Sequence, residues 1–192
     1  MLKLDGSKKK KLMIKVAIVG NIASGKSTVE KIIEENGYKV YDTDKIAHDI
    51  LASSNEVIKE FGTNNRNELA KIVFSNPDKL KLLESIIHPQ VKDELLKIFA
   101  KDENIVFISV PQLFEAGFEN MFDKIIYITA DEDIRKERLI KRNSFTPEEA
   151  QKRINAQSEN GKKEKCDFVI ENNGSLNDLQ NQVLEILSIL IR

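Results

Sequence analysis

The chain has 192 residues, enough for one domain with a full hydrophobic core and an inserted subdomain. A hydrophobic share of 41% and a charged share of 32% exclude a disordered chain and a membrane-embedded one. Lys and Arg number 30 against 31 Asp and Glu, and the net charge of -1 sets up no global field for nucleic acid or an anionic membrane. Neither is expected as a partner.

Cys166 is the single cysteine, so no intramolecular disulfide is expected and the composition fits a reducing cytoplasm. It reads as a small buried filler beside a strand rather than as a nucleophile. No apolar run approaches the ~20 residues of a membrane helix. Residues 1–13 read as a flexible lysine-rich tail without a catalytic role, and no apolar core there marks a secretory signal. Met13, which opens "MIKVAIVG", is an alternative start.

In chain order, "IKVAIVG" (14–20) predicts a fully buried strand ended by glycine. Residues 26–36 predict a helix with Val29, Ile32 and Ile33 on one face and Gly37 as its stop. "YKVYD" (38–42) is a second strand. A long helical region from about 44 to 100 is broken near "FGTNNRNE" and "SNPD". Leu80, Leu83, Ile87 and Val91 keep helical spacing there, and Pro89 is expected to kink or divide the helix. Strands follow at 104–111, 124–130 and 167–173. Between the last two lie a charged helix and a second one that opens with Thr146, Pro147 and Glu149, a capping box. The chain closes on an amphipathic helix with apolar residues at 176, 179, 183, 187 and 190.

Strands alternating with helices predict an α/β three-layer sandwich around a five-stranded parallel sheet with right-handed crossovers. The core comprises 14–43 and 104–192, with a lid at about 142–163. The 44–103 block is too long for one crossover and reads as a helical insertion where a substrate-binding subdomain could sit.

"GNIASGKST" satisfies G-x-x-x-x-G-K-[ST] between a buried strand and a helix. Its glycines let successive N–H groups curl around phosphate oxygens, and the helix N-terminus adds partial positive charge. Lys26 reaches the β and γ phosphates of a nucleotide, and the Ser27 hydroxyl suits a Mg²⁺ shell that is partly water. No N-K-x-D motif specifies guanine. The acid that such proteins carry at a strand end is missing from "IVFISVP"; "VYDTDKIAHDI" supplies Asp42 and Asp44 instead. Strand carboxyl ends flank the ligand crevice of an open parallel sheet, so a carboxylate there can accept a hydroxyl proton. One of the two also fits a helix cap. Asp44 is favoured as the catalytic group, with Asp42 supporting it.

Arg135, Arg138, Arg142 and Arg153 lie on the two charged segments, and Arg138 and Arg142 share a face. They suit a solvated helix face with weak ion pairs; beside a phosphate loop, at least one is expected to reach phosphate and neutralise charge in transfer. The two helices would close as a water-excluding lid.

From Met13 onward the chain resembles the dephospho-coenzyme A kinase family. The resemblance is carried by "GNIASGKSTV", "VYDTDKIAHDIL", "NRNELAKIVFSNP", "IIHPQV", "VPQLFEAGFE", "RLIKRN", "RINAQ" and "DFVIENNGS" in this order. It implies ATP-dependent phosphorylation of the ribose 3′-hydroxyl of dephospho-coenzyme A, on an adenylate-kinase-like core with a helical acceptor domain and a lid. By position it makes Asp44 the base and Arg138 and Arg142 the lid arginines. Gly20, Ala23, Ser24, Gly25, Lys26, Ser27 and Thr28 bind ATP, with Asn173 in the Asn172–Gly174 loop near the adenine. Asp42, Arg66, His88 and Pro111 fall on the acceptor side, and His48 reads as structural. The family usually carries glycine at the positions of Asn21 and Ala23, which the general loop pattern does not require, and commonly leucine at that of Gln112. The expected state is a cytoplasmic monomer or weak homo-oligomer. A kinase for another small metabolite and a non-catalytic nucleotide-binding module are the rival readings.

Overall fold

The structure is a computed structural model and describes residues 13–74, 76–157 and 161–191. The tail expected before Met13 lies outside the described residues, as does part of the expected lid (158–160).

The strands are β1 (Ile14–Gly20), β2 (Val40–Asp42), β3 (Ile105–Ser109), β4 (Lys124–Thr129) and β5 (Phe168–Glu171). They form one sheet in the order β2-β3-β1-β4-β5, and every adjacent pair is parallel. The strands read as near-continuous apolar runs because both faces are covered. Along β1, Val16 and Ile18 join one core while Ala17 and Val19 join the other, each at most 3% exposed.

The helices are α1 (Lys26–Glu35), α2 (Thr43–Ser53), α3 (Asn55–Phe61), α4 (Arg66–Phe74), α5 (Pro77–Phe99), α6 (Glu132–Asn143), α7 (Pro147–Asn155) and α8 (Leu176–Leu190). Val29, Ile32 and Ile33 of α1 and Leu179, Val183, Ile186, Leu187 and Leu190 of α8 cover one sheet face. Gly37 ends the α1 turn at φ 87, a left-handed conformation that glycine adopts without steric cost. The other face is covered by α5 and the loop after β3. Val57, Leu69, Ile87, Val91 and Leu95 share that core with Val106 and Ile108 of the sheet. The inserted helices therefore pack into the same core as the sheet.

Pro89 does not divide its helix into two elements: α5 runs unbroken from Pro77 to Phe99. A proline removes one donor, but Ile86, Ile87, Val91, Leu95 and Ile98 keep one face buried through that point. The Gln90 side-chain amide donates to Ile86 O at 2.9 Å, adding a bond beside the interrupted ladder. The Thr146 capping box forms as expected, with Glu149 N donating to Thr146 Oγ1 at 3.2 Å and Thr146 N donating to Glu149 Oε2 at 2.9 Å. Leu80 and Leu176 differ from the periodic reading, being 41% and 65% exposed, because each faces a cavity at the head of the sheet. Cys166 is half-buried; burial pushes its thiol up to about 11, and it donates to Lys162 O at 3.0 Å. Such a thiol stays protonated, consistent with filler.

Candidate active site

The carboxyl ends of β1, β2 and β3 meet at one edge: Gly20 ends β1, Asp42 ends β2 and Ser109 ends β3. Chain order switches direction around β1, so the crevice of an open parallel sheet falls there.

The loop after β1 is fixed by close approach. Gly25 caps α1 at φ 98, and a Cβ on it would lie 2.1 Å from Asn172 Nδ2; one on Gly20 would lie 2.8 Å from Ile128 O. Asn21 N donates to Ile128 O at 3.3 Å and Ser24 N to Asn21 O at 3.0 Å, curling the chain on itself. Asn21 is buried, and Tyr127 Oη donates to its Oδ1 at 2.6 Å. Ala23 takes φ 60, the left-handed region. The general loop pattern asks for no glycine at this position, yet the backbone here takes a conformation that favours one.

A cleft of about 820 Å³ opens over this loop. Gly20, Ala23, Ser24, Gly25, Lys26, Ser27 and Thr28 line it, together with Asp44, Pro111, Arg138 and Arg142. The structure thus gathers the residues expected to hold nucleotide around one space. Asn172, not Asn173, completes the wall. Asn172 Nδ2 donates to Ser24 O at 2.7 Å, whereas Asn173 is exposed and exchanges bonds of 2.8 Å with Asp131.

Arg138 lines the cleft and braces its floor at once. Its Nη1 donates to Ala23 O at 3.2 Å and Ser24 O at 3.3 Å, and Nη2 donates to Asn172 O at 2.9 Å. Arg142 is exposed on the same wall, with Nε donating to Asn143 Oδ1 at 2.9 Å. Arg153 stacks on Phe145, 4.5 Å from the ring centroid, and Arg135 is buried in α6; neither lines the cleft.

A second cavity of about 410 Å³ lies against α2, α4 and α5. Arg66 and His88, both expected on the acceptor side, line this cavity, and His88 packs edge-on against Phe118 at 5.7 Å. Arg66 is set at the first turn of α4 by Asn65, whose Oδ1 accepts from Asn67 N at 2.9 Å. Pro111 lies on the wall of the larger cleft instead. His48 and Glu84 were not expected here and line the second cavity together with Gln112. His48 was legible as one turn beyond Asp44 on the same helix face; Gln112 approaches only through the loop after β3. Lys141 and Gln157, also unforeseen, line the larger cleft, and Ile22 N donates to Gln157 Oε1 at 2.7 Å across 135 positions of sequence.

Asp44 belongs to both cavity walls. Two bonds set it there: Asp42 caps α2 by accepting from Asp44 N at 2.8 Å, and Thr43 Oγ1 donates to Ser109 O at 3.0 Å. Asp42 lines neither cavity, so its contribution is to the position and electrostatics of Asp44. Asp44 remains open to the cleft, yet partial loss of hydration holds its carboxyl above the ordinary carboxylate range, and the Asp42 and Glu30 charges add to this. Lys26 and Arg66 pull the other way.

Ser27 is exposed on the cleft wall. Among the described residues, no group of three or more His, Cys, Asp or Glu could cage a metal. A hydroxyl beside a phosphate loop, without such a cage, fits Mg²⁺ shared with nucleotide oxygens and water. No helix of the described residues is long and apolar enough to cross a membrane.

The dephospho-CoA kinase family model matches residues 14–178. The chain is 39% identical to the dephospho-CoA kinase of Fusobacterium nucleatum, over 88% of this chain and 94% of that one. It is 38% identical to that of Carboxydothermus hydrogenoformans, over 90% and 92%. Among solved structures it is similar to a Thermus thermophilus protein (TM-score 0.82, 34% identity, covering 94% of this chain and 99% of that one). It is also similar to the dephospho-CoA kinase from Campylobacter jejuni (TM-score 0.71, 29% identity, covering 92% and 96%). A shikimate kinase from Bacteroides thetaiotaomicron, at 14% identity and a TM-score of 0.60 over 93% of this chain and 99% of that one, shares the fold. The chain belongs to the dephospho-CoA kinase family.

Proposed function

We propose that this protein transfers the γ-phosphoryl group of ATP to the ribose 3′-hydroxyl of dephospho-CoA, giving CoA and ADP, the last step of coenzyme A biosynthesis in the cytoplasm. The observation that carries the reading is the place of Asp44 on the wall shared by the two cavities. The larger cleft, over the phosphate loop, takes ATP, and the second takes the acceptor's nucleotide end. A hydroxyl in the second cavity then meets the γ-phosphoryl group beside Asp44.

The Asp44 carboxylate accepts the hydroxyl proton as the acceptor oxygen bonds to the γ-phosphorus, and the bond to the β-γ bridging oxygen breaks to release ADP. The raised pKa of Asp44 makes it a better proton acceptor than an ordinary aspartate. Lys26 contributes a point charge at the phosphates, and the loop N–H groups at the start of α1 hold oxygens in place. Arg142 and Lys141, both exposed on the cleft wall, neutralise charge that develops in transfer. Arg138 fixes the loop through the Ala23 and Ser24 carbonyls and leaves guanidinium N–H groups for phosphate. Ser27 would hold Mg²⁺, which when bound offsets the charge of the β and γ phosphates.

A coupled ADP-release assay comparing dephospho-CoA with a panel of nucleoside monophosphates tests the reading. Turnover with dephospho-CoA is expected; turnover with a monophosphate alone would overturn it.

A further inference from the structure

The ammonium of Lys26 has three N–H donors. Glu30 Oε1 takes one at 2.7 Å, and Ser109 Oγ takes another. One is left for a phosphate oxygen. The Lys26 and Glu30 side chains are only 21% and 17% exposed, so their contact is far drier than a surface ion pair. Ser109 is fully buried at the end of β3, in register with Ile18 two residues before the loop.

Many such loops have an aspartate at the end of a neighbouring strand, where it holds Mg²⁺. Here β3 ends in a hydroxyl. The carboxylate next to Lys26 comes from α1, one turn further on. Ordinary helix stabilisation does not account for it. Lys before Glu is the weaker order of an i,i+4 pair, and a cation at the first position of α1 sits at the unfavourable end of the helix dipole. The first turn of α1 holds no acidic residue that could offset this.

We propose that Glu30 is the positioning partner of the phosphate-loop lysine: it sets a carboxylate against Lys26 from α1 and, with Ser109, aims the remaining Lys26 N–H at ATP. The inference rests on the reading of Lys26 as the group that meets the phosphates. It makes Glu30 and Ser109 a functional pair contributed by two elements, in which the charge can be moved from one to the other.

Four variants test this: Glu30→Gln, Glu30→Ala, Ser109→Asp and Glu30→Ala/Ser109→Asp, each checked for folding by thermal melting. Glu30→Gln keeps the shape and removes the charge. It is expected to lower kcat/KM for ATP about tenfold while KM for dephospho-CoA stays unchanged. Glu30→Ala loses at least as much. Returning a carboxylate through Ser109→Asp in that background is expected to restore kcat/KM to within about threefold of the parent enzyme, a rescue that a merely structural role for Glu30 does not predict. Unchanged ATP kinetics in Glu30→Gln, or a folded double variant no faster than Glu30→Ala, overturns the proposal. Where melting shows the double variant unfolded, Glu30→Gln decides alone. Lys26→Ala separates the inference from its premise. If Lys26→Ala is silent, both fall; if it is impaired while Glu30→Gln is silent, only the pairing falls.

Discussion

Asp42 accepts a hydrogen bond from the backbone N–H of Asp44 at 2.8 Å, so one carboxylate of the pair caps α2 and the other is left to face both cavities. Substituting Asp44 by Asn keeps the size and removes the proton acceptor. Asp44→Asn is expected to retain ATP binding and to lose about 10²–10⁴-fold in kcat. Equilibrium nucleotide binding beside steady-state kinetics checks this, and an unchanged kcat removes Asp44 from the mechanism.

The pH dependence follows from the same pair. Asp44 must be ionised to accept a proton, and its pKa is raised, first by loss of hydration and next by the Asp42 charge. Activity is therefore lost, as pH falls, at a higher pH than an ordinary aspartate would give. Asp42→Asn preserves a good helix cap and deletes the neighbouring charge. The acidic limb of kcat/KM is expected to move to lower pH in that variant, which a pH–rate profile reads directly.

Gly25 leaves no space for a side chain. An added Cβ would lie 2.1 Å from Asn172 Nδ2, at φ 98. Gly25→Ala is expected to destabilise the fold by about 1–3 kcal/mol and to weaken ATP binding. Asn172→Ala in the same chain relieves the clash but not the backbone strain, so thermal melting should show partial recovery only.

Ala23 carries the opposite imbalance. At φ 60 an alanine bears a left-handed cost of about 1–2 kcal/mol, and glycine loses roughly 0.5–1 kcal/mol of that advantage to chain entropy. Ala23→Gly is therefore expected to stabilise the fold slightly, by about 0.5 kcal/mol, with ATP affinity retained. Denaturant melts measure the sign.

His48 and Arg66 share the second cavity with His88. Truncating either His48 or Arg66 to Ala is expected to raise KM for dephospho-CoA several-fold, about 1 kcal/mol of lost contact, with KM for ATP nearly unchanged. Equal effects on both substrates would place that residue outside a dedicated acceptor site.

Much of this molecule follows from local chemistry. "IKVAIVG" is apolar on both faces because a central parallel strand is covered on both, and "GNIASGKST" can only curl where a strand feeds a helix. Thr146 with Glu149 announces the start of α7, and alternating strands and helices announce the sheet. These signals lie within a few residues of one another, so the sequence displays them.

Other features depend on residues far apart in the chain and were settled by packing. Pro89 sits inside an intact α5 because the buried face of that helix outweighs one lost hydrogen bond. Asn172 reaches Ser24 across 148 positions, and Gln157 reaches Ile22 across 135. Ser109 and Glu30 meet on Lys26 only when β3 lies beside β1. The sequence by itself determined the strand, loop and helix that can hold phosphate, because backbone conformation and hydrophobic period are local. Only the tertiary structure decided which side chains surround that loop, because those contacts exist once the sheet order β2-β3-β1-β4-β5 brings the strand ends together.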